Sequence, residues 1–134
     1  MRRYHPASLI LGLGLLLAGG PAVAHHSVSA EFDSARRVEL TGVVTKIEWT
    51  NPHTYFYIDA ANPRTGNVEI WALELGSPNG LMRQGFTRSS MKIGDVVTVA
   101  GTLAKDGANK ANTKSVVLSD GKTLFAVSSG TESP

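Results

Sequence analysis

Val38-Glu39-Leu40-Thr41-Gly42-Val43-Val44-Thr45-Lys46-Ile47-Glu48-Trp49-Thr50 is rich in β-branched side chains, which suit a pleated, half-buried surface. Val38, Leu40 and Val44 share one parity, and Val43, Ile47 and Trp49 share the other. Alternate residues of a strand face the same side. The change of phase around Val43-Val44, just after Gly42, therefore predicts a bulge that lets one long strand bend.

The downstream pattern continues in strands. Asn51-Pro52 signals a turn, and Thr54 to Ala60 alternates Phe56 and Ile58 against Tyr55, Tyr57 and Asp59. A loop over Asn62 to Asn67 leads into a third strand, Val68 to Leu75. The next segment is the only plausible helix in this domain: Ser77 suits the N-cap, Pro78 the first helical position and Gly85 the residue past the end. Leu81 and Met82 are its expected buried side, and Gly80 weakens it. Lys92 to Asp95 then turns into a fourth strand, Val96 to Leu103. Asp106-Gly107 and Asp120-Gly121 are tight-turn dipeptides, framing a last strand, Thr113 to Leu118, and its partner, Lys122 to Val127. Three strands, a helix and two or three more strands, with a bend in the first, predict an all-β, OB-like Greek-key barrel of five to six strands. The alternative is a small antiparallel β-sandwich.

The N-terminus reads as an export signal. Met1-Arg2-Arg3 is a positive start, Leu9 to Leu17 is apolar, and Ala22-Val23-Ala24 is a small-x-small cleavage pattern. The apolar run is shorter than the roughly 20 residues that span a bilayer. Expected boundaries are a signal peptide over 1–24, a lead-in segment over 25–37 anchored by Phe32, the barrel over 38–127 and a tail over 128–134. No second apolar stretch follows, so the mature protein is expected in the periplasm or secreted, without membrane insertion.

Composition narrows the chemistry. The formal charge is +2, with thirteen Lys and Arg against eleven Asp and Glu, and Arg2 and Arg3 supply that excess within the signal. The mature part has no basic surplus, so nucleic acid is not an expected partner. Cysteine is absent, which removes thiol nucleophiles, redox pairs and thiolate metal sites. No serine sits in a Gly-x-Ser-x-Gly elbow, and Gly94-Asp95 reads as a strand-entry turn and no phosphate loop, since no Gly-Lys-Ser/Thr belongs to it.

Ala24-His25-His26-Ser27, Glu31-Phe32-Asp33, Leu40-Thr41-Gly42 and Glu48-Trp49-Thr50-Asn51-Pro52-His53 together resemble an uncharacterised family of small exported bacterial proteins, a domain of unknown function. Gly76-Ser77-Pro78-Asn79, Gly94-Asp95-Val96-Val97 and Ala104-Lys105-Asp106-Gly107 extend the resemblance from His25 to about Ala126. It implies an exported, single-domain β protein and carries no activity with it.

Two constellations could bind something. Cleavage after Ala24 makes His25 the N-terminal residue, so its free amine and imidazole can close one chelate, with His26 beside it. A second, distant imidazole from His53 would complete a three-nitrogen brace suited to copper. Glu31 or Asp33 could add an oxygen ligand. Against this, His25 and His26 could be a solvated end and His53 a backbone partner. The second constellation is aromatic: Tyr55, Tyr57 and Trp71 on strands two and three, with Trp49 and Asn51 at the rim, are ligand-binding candidates for a small molecule, a glycan or an envelope protein. Its ordinary alternative is cross-strand packing, and for Asn51 the satisfaction of backbone groups in its turn. Glu48, Asp59, Glu69 and Glu74 are expected on solvent faces. Binding without catalysis is the leading expectation, and a copper oxidase or oxygenase built on the brace is the enzymatic alternative.

Overall fold

The computed structural model describes residues 27–126. The expected signal peptide, His25, His26 and the tail over 128–134 lie outside the described residues. Within them run α1 (Val28–Glu31), β1 (Phe32–Glu48), β2 (Tyr55–Ala61), β3 (Val68–Glu74), α2 (Pro78–Arg83), β4 (Val96–Ala104), β5 (Lys110–Leu118) and β6 (Thr123–Phe125). The sheet order is β3-β2-β1-β4-β5-β6, and a parallel pairing of β3 with β5 closes five strands into a ring. With α2 between the third and fourth strands, this is the OB-like barrel.

β1 serves both sides of the ring because it changes partner along its length. Residues Arg37 to Val43 pair with β4, and Gly42 to Glu48 pair with β2. Gly42 belongs to both ladders, facing Ala60 on one side and Val97 on the other. A Cβ there would overlap the Asp59 carbonyl oxygen and sit 2.9 Å from the Ala60 Cβ, so the close approach demands glycine.

The expected bulge exists but lies slightly later, between Val44 and Lys46. Val43 is exposed, and the inward set runs Val38, Leu40, Gly42, Val44, then shifts phase to Ile47, which packs against the core. Val43-Val44 misleads as a phase marker because two adjacent valines fit either parity.

The core fills the ring. Phe56 and Ile58 from β2, Trp71 and Leu73 from β3, Val97 and Val99 from β4, and Val116 from β5 are all buried. One end is closed by α2, with Ser77 Oγ accepting from the Gly80 N–H at 3.2 Å and Pro78 in the first turn. Leu81 is buried as expected, but Met82 is 47% exposed. Phe86 and Met91, beyond the helix, close that end instead. Adjacent helical residues point about 100° apart, and in this short helix the inward direction falls to Leu81.

Two strand limits also differ from expectation. Within the described part of the lead-in, Ser27 caps α1, and β1 begins at Phe32, which pairs with Ala104 before an irregularity that ends at Arg37. Residues 34–37 are exposed, so they carry no hydrophobic alternation to announce a strand. β5 begins at Lys110, not Thr113, and Lys110, Ala111 and Asn112 make the closing parallel ladder to Ala72, Leu73 and Glu74.

Candidate functional site

The outer wall around the start of β2 holds a connected set of polar side chains. The β2–β3 register sets Tyr55 opposite Glu74, and the β3–β5 register sets Ala72 opposite Lys110. His53 precedes β2 in the β1–β2 connection, where the Asn51–Pro52 peptide is cis. Its position is steadied by Thr50 Oγ1, which donates to the His53 carbonyl at 3.2 Å.

Glu74 is the hub. Its side chain is 3% exposed, and its Oε2 accepts from the Tyr55 hydroxyl at 2.7 Å and lies 3.4 Å from Lys110 Nζ. Its Oε1 lies 3.0 Å from His53 Nδ1. A buried carboxylate survives only when paired and hydrogen-bonded, and these partners meet that condition. Lys110 is shared with Glu31 at the end of α1, and its ammonium stands 5.5 Å from the Phe32 ring centroid and 5.4 Å from that of Tyr55. The first described turn of the chain is thus tied to the same cluster as His53.

Electrostatics follow from this packing. Burial pushes the Tyr55 hydroxyl well above the usual phenol range, and its bond to Glu74 adds to the effect. Burial alone would lower Lys110, but the Glu31 and Glu74 carboxylates outweigh it and hold its ammonium above the ordinary range. Beside them, Tyr57 donates to Glu48 at 2.9 Å, and burial with that bond raises Tyr57 as well. Lys46 pairs with Glu48 and lies over the Tyr57 ring.

The structure sorts the candidate residues by face. Tyr55, Tyr57 and His53 share the outer wall, whereas Trp71 is buried in the barrel core with Phe56 and Ile58. Trp49 packs on the α2 side, 6.3 Å from Phe86 and 5.7 Å from the Arg88 guanidinium. Asn51 is exposed in the connection. His25 and His26 fall outside the described residues. Asp33 accepts from the Ala35 N–H, and Glu31 pairs with Lys110.

Sequence reasoning missed Glu74 and Lys110. Glu74 was expected on a solvent face, yet it is buried, because Tyr55, His53 and Lys110 cover the outer wall at its position. The available signal was its place between Leu73 and Leu75 on the strand beside Tyr55, but Lys110 required the β3–β5 pairing. Among the described residues, no group of three or more His, Cys, Asp or Glu side chains is disposed to hold a metal ion. No described helix is long and apolar enough to cross a membrane.

Fold and cluster define a small OB-like β-barrel with a buried carboxylate–imidazole pair on its outer wall. The chain belongs to a family of unknown function, DUF6152, which matches residues 14–113. No match was found among curated proteins or among solved structures.

Proposed function

We propose that the protein is an exported, periplasmic binding protein that takes a copper-type cation through nitrogen ligands and does not turn over a substrate. The ligands are the amine and imidazole of His25, freed by cleavage after Ala24, with His26 beside them and Nε2 of His53 as the distant ring. The observation that carries this is the contact of His53 Nδ1 with the buried Glu74 carboxylate. A carboxylate accepts only, so Nδ1 faces it as N–H, and in the neutral ring this leaves the lone pair on Nε2, the arrangement that orients metal-bound imidazoles.

Tethering supports the same assignment. Glu31 pairs with Lys110, which pairs in turn with Glu74. His25 lies six residues before Glu31, a span that cannot exceed about 20 Å even fully extended. An aromatic platform for a glycan or a protein would rest on Tyr55 and Tyr57, whose hydroxyls already serve Glu74 and Glu48, without Trp71. The nitrogen site is therefore favoured.

Calorimetric titration with Cu(II) tests it. Protein beginning at His25 should bind at least tenfold more tightly than protein retaining Ala24, and His53→Ala should lose a similar factor while staying folded by circular dichroism. Equal affinity in all three forms would end the proposal.

A further inference from the structure

At the end of the barrel away from α2, the β2–β3 and β4–β5 loops and the early part of β1 surround a cleft of about 110 Å³. Arg36, Arg64, Asn62, Asn109, Trp71 and Leu103 are among the residues that line it. Trp71 is 3% exposed, and its indole N–H is buried with no hydrogen-bond partner among the described residues. An indole nitrogen can only donate, and when buried it usually finds an acceptor.

The nearby acceptors are committed elsewhere. Glu69 accepts from the side-chain amides of Asn62 and Asn109, which pins both loops and holds its carboxyl below the ordinary range. Asn62 Oδ1 accepts from the Arg64 N–H at 2.9 Å. Neither the Arg36 nor the Arg64 guanidinium has an ion-pair partner among the described residues. Two guanidinium charges lie at the mouth beside the Glu69 carboxylate, while in the β4–β5 loop Asp106 accepts from the Ala108 N–H and Lys105 donates to the Ser29 carbonyl.

We infer that this cleft is a binding site for a small oxyanion, a carboxylate or a phosphate group, held by Arg36 and Arg64 with the Trp71 indole N–H as a further donor. Guanidinium donors match the paired oxygens of such groups, and charge-assisted bonds of this kind are about twice as strong as neutral ones. Size sets the class. Pockets for larger organic ligands run to about 300–1,000 Å³, so this cleft admits a headgroup and little more. Leu103 and the Trp71 ring give it an apolar wall that suits the carbon end of a short carboxylate. The site shares no residue with the His53–Glu74 cluster and does not depend on the metal proposal.

The test uses the mature chain and follows indole N–H signals by NMR during titration with inorganic phosphate and with propionate. Ionic strength is held constant, with chloride as the reference. The chain has two tryptophans, so Trp49→Phe assigns the pair of signals. The Trp71 signal should move saturably with phosphate, propionate or both, and the tighter of the two identifies the source of the oxyanion. Arg36→Gln and Arg64→Gln should each raise Kd at least tenfold without lowering the melting midpoint, since both side chains are exposed. His53→Ala should leave the titration unchanged. Movement that fails to saturate with both anions, that chloride reproduces, or that survives in the double arginine variant would overturn the inference.

Discussion

Glu74 shows how one buried charge organises its neighbours. Tyr55 donates to it, Lys110 offsets it and His53 takes its remaining oxygen. Replacing Tyr55 by Phe removes a hydrogen bond to a charged acceptor, a change that costs about 1.5–3 kcal/mol. The urea midpoint of Tyr55→Phe should fall accordingly. Tyr55 and Lys110 both hold their protons more tightly when folded. Above the unfolded-state values, near pH 10, the unfolded chain therefore binds fewer protons than the folded one, and stability must fall as pH rises. Midpoints measured from pH 8 to 11 should show that loss in the parent protein. The loss should be smaller in Tyr55→Phe, which keeps the contributions of Lys110, Tyr57 and Lys46 but not that of Tyr55, and an identical slope in both proteins would refute the assignment.

Among the elements, β1 carries the architecture. Its bulge after Val44 turns the strand, and Gly42 lets β2 approach closely where the two ladders overlap. Backbone and Ala60 surround that position, so an added methyl has no flexible neighbour to displace. Gly42→Ala should cost about 1–3 kcal/mol or more, as overpacking does, and should speed amide exchange in the β1–β2 ladder before that of β4–β5. Gly101→Ala is a parallel case, because a Cβ there would overlap the Asn112 carbonyl oxygen across the β4–β5 pair. If Gly42→Ala unfolds at the parent midpoint, the close approach is not what holds glycine there.

The ring and its appendage should separate in stability. Five strands are paired on both sides, whereas β6 pairs with β5 alone, through three residues. Local opening is easiest where few ladder bonds and little buried surface oppose it. Amides of the β5–β6 ladder should therefore exchange markedly faster than those of Val97 and Val99, which lie between β1 and β5. Comparable protection in both places would mean that β6 opens only with the barrel.

Much of this molecule is legible one segment at a time. The alternation of Phe56 and Ile58 against Tyr55 and Tyr57, the Ser77-Pro78 helix start and the turns at Asp106-Gly107 and Asp120-Gly121 all follow from neighbouring residues. Such features depend on steric preferences and periodicity within a few residues, which the order of amino acids alone specifies. The closing β3–β5 pairing is different, since Lys110-Ala111-Asn112 carries no strand signature and pairs only because the bent β1 brings the sheet round on itself. That closure puts Lys110 over Tyr55 and completes the partners of Glu74, while the strand register turns Trp71 inward, away from Tyr55 and Tyr57. Burial and charge pairing between distant segments depend on register and curvature summed over the whole ring, so they were decided only when the chain closed.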